Sequence, residues 1–251
     1  MEETTLKRIE MKFRLDATLA DQVTEWARDH LGIDSNCVTA TGDTYHINTL
    51  YLDNAELDLL HATGRIGRTK HRIRRYADEQ TLWLETKRKK RMVVKKNRAT
   101  VHELDFSADR STCPQDPWCG DWFLDRIRRK GLQPVVQIAY RRFARTSVIN
   151  GQNVRLTIDD SMTAATANGW TVPSTTNFVP HVEFGDCKVL ELKFNGPTPP
   201  IFKDLLRTFA IPASGFSKYR NAMQALETIA VDTATSSAST CHQKPGFLSH
   251  A

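Results

Sequence analysis

The chain is short of the residues that carry several common chemistries. Its 251 residues include five cysteines, Cys37, Cys113, Cys119, Cys187 and Cys241. The number is odd, and none are spaced as CxxC or as zinc ligands, which argues against a disulfide framework and fits a reducing cytoplasm. No apolar run approaches the roughly 20 residues of a membrane-crossing helix. The acidic, polar start Met1–Glu2–Glu3–Thr4–Thr5 does not resemble a signal peptide, so a soluble chain is expected. Gly64–Arg65–Ile66–Gly67 is not a phosphate loop, because no Gly-Lys-Ser/Thr follows it. There is no Gly-x-Ser-x-Gly elbow and no histidine pair with zinc spacing, so neither hydrolase-type nucleophile nor zinc chemistry is indicated.

Positive charge is abundant, and it is concentrated. Between Arg65 and Arg98 fourteen Lys and Arg stand against three carboxylates, a local +11 where the whole chain carries +6. The remainder is therefore slightly acidic and the positive field is local. In Thr69–Lys70–His71–Arg72–Ile73–Arg74–Arg75–Tyr76 a period of two puts Lys70, Arg72 and Arg74 on one face and Ile73 on the other. Three cations on one strand face suit a polyanion.

The same alternation recurs. Leu6–Leu15 sets Arg8, Glu10, Lys12 and Arg14 against Ile9, Met11, Phe13 and Leu15. Strands are also expected over 45–53, 81–88, 92–104, 134–146, 153–159 and 188–194, with 69–104 an antiparallel meander. Helices are expected over 16–31, 55–62, 116–130, 201–209 and 220–230, from apolar spacing and from closing glycines at Gly32, Gly64 and Gly131. The length and a 40% hydrophobic content suit one domain over 1–230, and the Ser/Thr/Ala-rich segment 231–251 reads as a disordered tail. Strands with one charged and one apolar face could be solvated faces of an ordinary sheet. Their repetition favours an α+β fold with a closed antiparallel barrel, charged faces inward and helices outside. Glu–Lys pairs at Glu10/Lys12, Glu85/Lys87 and Glu191/Lys193 would then set carboxylates for a divalent cation beside ammonium groups for phosphate. His71 reads as a hydrogen-bonded packing histidine, and Trp118, Trp122 and Tyr51 as core.

In this order, Arg8–Ile9–Glu10–Met11–Lys12–Phe13, Thr49–Leu50–Tyr51–Leu52–Asp53–Asn54, Lys70–His71–Arg72–Ile73–Arg74–Arg75–Tyr76, Leu84–Glu85–Thr86–Lys87, Tyr140–Arg141–Arg142, Val154–Arg155–Leu156–Thr157–Ile158–Asp159, Val189–Leu190–Glu191–Leu192–Lys193 and Phe216–Ser217–Lys218–Tyr219 resemble the VTC domain. This is the polyphosphate polymerase branch of the triphosphate tunnel metalloenzymes. The resemblance implies a β-tunnel with flanking helices that transfers the γ-phosphoryl of ATP to a growing polyphosphate chain with Mn2+ or Mg2+. It assigns phosphate binding to Lys12, Arg72, Arg74, Lys87, Arg142, Arg155, Lys193, Ser217 and Lys218, and the metal to Glu191 with Glu10 as a second candidate. On the third meander strand it selects Lys96 and Arg98, while a one-residue slip would turn Lys95 inward instead. Arg8 stands where tunnel phosphatases carry the first Glu of Glu-x-Glu-x-Lys, which favours the polymerase. Gly215 stands where some relatives carry a further Lys. The expected partners are ATP and inorganic polyphosphate, with no nucleic acid. A tunnel triphosphatase or cyclase and a non-catalytic polyphosphate-binding module are the alternatives.

Overall fold

The computed structural model describes residues 8–37, 42–64, 66–90, 93–110, 117–212 and 214–239. Cys113, Cys241, the side chain of Arg8 and the tail beyond Ser239 lie outside the described residues. In chain order the strands are β1 (Arg8–Leu15), β2 (Gly32–Ile33), β3 (Thr44–Asp53), β4 (Thr69–Tyr76), β5 (Thr81–Lys90), β6 (Val93–His102), β7 (Gln133–Ile149), β8 (Gln152–Thr166), β9 (Val182–Glu183) and β10 (Lys188–Asn195). The helices are α1 (Ala17–His30), α2 (Asp58–His61), α3 (Asp121–Lys130), α4 (Pro200–Thr208) and α5 (Lys218–Ser239). The fold is thus α+β.

All ten strands join one antiparallel sheet, in the order β2-β7-β3-β4-β5-β6-β1-β10-β8-β9, and β7 pairs with β8 as well as with β3. The sheet therefore curls on itself. Full closure into a barrel is not reached: among the described residues β1 meets β6 at a single pair, Ile9↔Val93. Side chains bridge that seam instead, since Lys87 of β5 donates to both oxygens of Glu10 on β1 at 2.8 and 2.6 Å.

The helices cover the outward, apolar faces. Ala20, Val23 and Ala27 of α1 and Phe202 and Leu205 of α4 form one buried cluster with Phe13, Leu15, Leu190, Leu192 and Phe194. Phe123, Leu124 and Ile127 of α3 join a second cluster with Leu50, Leu52, Ile73, Leu82 and Leu84. Each such side chain stabilises the fold by roughly 1.5–3 kcal/mol relative to exposure, so the apolar half of each strand secures the sheet and leaves the other half for charge. α1 begins where Asp16 accepts from the Leu19 amide at 2.8 Å, and α3 ends at Gly131 with φ 59°, a left-handed cap that glycine reaches without strain.

Several boundaries differ from the sequence reading. α2 is shorter than 55–62 because Leu57 is left-handed, φ 53°. The Asp53 carboxylate accepts from the Leu59 and Leu60 amides and binds the turn to β3. α3 starts at Asp121, the carboxylate of which accepts from the Trp118 amide. β8 continues to Thr166, seven residues past the expected end. The expected start of the tail at Val231 falls inside α5, which continues to Ser239.

Candidate functional site

The inward faces enclose a cavity of about 830 Å3. Every residue assigned from the sequence lies on its wall: Lys12 and Glu10 from β1, Arg72 and Arg74 from β4, Lys87 from β5, Lys96 and Arg98 from β6, Arg142 from β7, Arg155 from β8, Glu191 and Lys193 from β10, and Ser217 and Lys218 at the start of α5. Antiparallel register explains the convergence. It sets Lys12 opposite Glu191, Glu10 opposite Lys193, Lys87 opposite Lys96 and Lys193 opposite Arg155, so a charged face on one strand continues on the next. The register also separates the neighbouring lysines: Lys96, opposite Lys87, reaches Glu85 at 2.6 Å and lines the cavity, whereas Lys95, opposite Arg88, does not line it.

Thirteen Lys and Arg line the cavity against two glutamates, so its field is strongly positive. Buried cations need partners, and four carboxylates, Glu85, Asp159, Glu191 and Glu10, supply most of them. Glu85, fully buried, takes Arg72 Nε at 2.9 Å, Arg98 Nε at 2.8 Å and Lys96, with Arg74 at 3.8 Å. Asp159, also fully buried, accepts both forks of Arg142 at 2.6 and 2.7 Å and Lys218 Nζ at 2.5 Å. Glu191 pairs with Lys12 and Lys193, and Glu10 with Lys87. Arg155 Nε lies 2.6 Å from Asp34 as an ion pair, and its other fork donates to Tyr45 Oη at 2.8 Å.

Burial raises all four carboxyl groups, but their cations prevail. Glu10, despite burial and nearby Glu191, is held down at about 2 by Lys87, Lys193 and Lys12. Glu191, Glu85 and Asp159 lie well below the ordinary range for the same reason, Lys12 and Lys193, Arg72 and Arg74, and Arg142 and Lys218 respectively outweighing burial. Three of the amines are lowered as well, which for them disfavours the charged form. Burial is the main cause, with other cations adding to it, and it pushes Lys96 to about 6, Lys193 to about 7 and Lys70 to about 8. Ser217 caps α5, accepting from the Arg220 amide at 3.5 Å while Lys70 donates to the same hydroxyl at 3.4 Å.

Some of the site was not foreseen. Tyr51 is buried in the core as expected, but it also lines the cavity wall, where burial is outweighed by Arg72, Lys70, Arg74 and Lys218 and its phenol falls to about 7. Tyr140 accepts from Arg74 at 3.1 Å. Glu85 and Asp159 anchor more cations than their place in short motifs suggested, although Asp159 lies four residues from Arg155 on the same strand face. His71 is buried as expected, but neither ring nitrogen has a hydrogen-bond partner.

Among the described residues no three His, Cys, Asp or Glu form a cluster able to hold a metal alone. Glu10 and Glu191 on adjoining strands still fit Mg2+ or Mn2+ bound through one or two carboxylates, with substrate phosphates and water completing its shell. No helix among the described residues is long and apolar enough to cross a membrane.

A cavity walled by Arg forks and lysines, with a few carboxylates, defines a phosphate-handling protein. The VTC domain matches residues 7–227, and the chain belongs to that family. No curated protein matches it. Among solved structures it is similar to the Hippeastrum protein HpAC1, reported with a dominant triphosphatase activity. The identity is 14% and the TM-score 0.48, over 86% of this chain and 95% of that one. It is also similar to a Bacillus halodurans protein described as an adenylate cyclase, with 12% identity and a TM-score of 0.48, over 85% and 94%.

Proposed function

We propose that this chain is a polyphosphate polymerase, transferring the γ-phosphoryl of ATP to the end of an inorganic polyphosphate chain held in the cavity. The observation that carries the reading is the wall itself, thirteen cations, most of them held by buried carboxylates, around a space of about 830 Å3. Phosphoryl transfer asks a protein for positioning and charge neutralisation more than for a nucleophile. A terminal phosphate oxygen of the polymer bonds to the γ-phosphorus as the bond to the β-bridging oxygen breaks, and ADP leaves with that electron pair.

The residues divide the work. Arg72, Arg74 and Arg142 keep their protons at any working pH and offer forks to phosphate oxygens. Lys12, Lys87, Lys193 and Lys218 add point charges beside them. Glu191, with Glu10 close by, would hold Mn2+ or Mg2+, which when bound neutralises charge on the transferring group. Incubating the purified chain with ATP and either metal, then resolving products by gel and phosphorus NMR, tests the reading. Polymer and ADP are expected. Free phosphate alone would make it a triphosphatase, pyrophosphate a cyclase, and binding without turnover a polyphosphate-binding module.

A further inference from the structure

One end of the cavity differs in chemistry from the rest. There Arg98 lies over Trp83, its guanidinium carbon 4.2 Å from the ring centroid. The plane is fixed at its edges: Nε donates to Glu85 at 2.8 Å, and a terminal nitrogen donates to Tyr76 Oη at 3.4 Å. Tyr76 in turn meets Trp83 edge-on, with ring centroids 5.7 Å apart, and Tyr45 follows at 5.9 Å.

Other cation–ring pairs occur on the wall, but they are closed. Arg72 lies over Tyr51, and Arg142 and Lys218 over Tyr140, with those three cations 6–8% exposed. The Arg98 side chain is 36% exposed. Arg14 over Phe216 is open but looser, at 5.9 Å, and Arg14 is not on the cavity wall. Trp83 lies against the Arg98 guanidinium on one side, and more than a third of that side chain stays open to a ligand. A rigid, flat cation with an open side takes a π-system, and nucleobases stack on guanidinium planes.

We propose that the Trp83–Arg98 stack is a nucleobase platform, on which the base of the nucleoside triphosphate rests while its phosphates enter along the Arg98–Lys96–Lys87 row. This rests on the polymerase reading and deepens it, giving the cavity a nucleoside end. Arg98 then serves the base through its face and the wall through its edge, a different role from the phosphate contact assigned by resemblance.

The test compares ATP with inorganic tripolyphosphate, the same phosphate chain without a nucleoside. Both are titrated calorimetrically into the full chain, in EDTA to prevent turnover, for wild type and for Arg98→Lys, Trp83→Ala and Trp83→Phe. Arg98→Lys keeps the charge and loses the plane. The proposal expects Arg98→Lys and Trp83→Ala to weaken ATP about tenfold more than tripolyphosphate, the scale of one lost stacking contact, and Trp83→Phe to restore most of the difference. Equal losses for both ligands, or none, would overturn it. If wild type bound tripolyphosphate and ATP equally well and the variants changed nothing, the platform would fail and the tunnel reading would stand. If wild type bound neither, both would fail.

Discussion

At the scale of single residues, the site works by holding charges that would otherwise repel. Glu191 sits between Lys12 and Lys193, both ion-paired to it, and is the carboxylate best placed to exchange an ammonium partner for a metal. Glu191→Gln is expected to abolish turnover while leaving tripolyphosphate binding largely intact. Loss of both together, measured on the same preparation, would count against a metal role. His71 makes a separate prediction. Burial, with Lys130 and Arg126 nearby, lowers it to about 4 from 6.5, so the unfolded chain binds more protons than the folded one between those values. Its contribution is complete above about pH 6.5 and is lost as pH falls toward 4. Glu10, lowered from 4.5 to about 2, adds a second loss as pH falls through that window. His71→Leu should therefore stabilise the protein more at pH 5 than at pH 8 in denaturant melts, and an equal effect at both would contradict a neutral buried imidazole.

At the scale of elements, Glu85 ties β4 to β5 and β6 by taking Arg72, Arg74, Lys96 and Arg98. Removing one partner from buried pairs costs about 3 kcal/mol or more, which for a chain of this length lowers the melting temperature by roughly 10 °C. Glu85→Gln should show that loss in a thermal melt and recover part of it when tripolyphosphate is added, since phosphate oxygens can replace the missing acceptor. A loss that no polyanion relieves would mean that the four cations do not face the ligand. The strands were legible because their period-two alternation is read directly from side chains, and β4 has the expected bounds 69–76. The polar side of each strand led directly to the cavity wall. The second role of Tyr51 was less legible, because an aromatic residue between Leu50 and Leu52 looks the same whether it only packs in the core or also lines a charged cavity. The short seam between β1 and β6, a single pair among the described residues, was not legible either, since the count and alternation of strands do not specify how far the last ladder runs. α5 outlasted its expected end because Ser, Thr and Ala at 231–239 lower hydrophobicity without breaking a helix, there being no Gly or Pro before Pro245.

At the scale of the whole molecule, the proposed function makes the curled sheet a receptor for a chain of phosphates, kept partly unprotonated until the ligand arrives. Lys96, Lys193 and Lys70 at about 6, 7 and 8, and the Tyr51 phenol at about 7, are all shifted by burial or by neighbouring cations. A polyanion in the cavity raises every one of these values, so binding near pH 7 takes up protons and weakens as pH rises through 8. It should also weaken with added salt, as charge-driven association does. Titrating inorganic tripolyphosphate into the protein at pH 7, in two buffers of different ionisation enthalpy, measures this directly. Saturable one-to-one binding is expected, with a heat that differs between the buffers in the sense of proton uptake. No saturable binding, or binding with proton release, would contradict it.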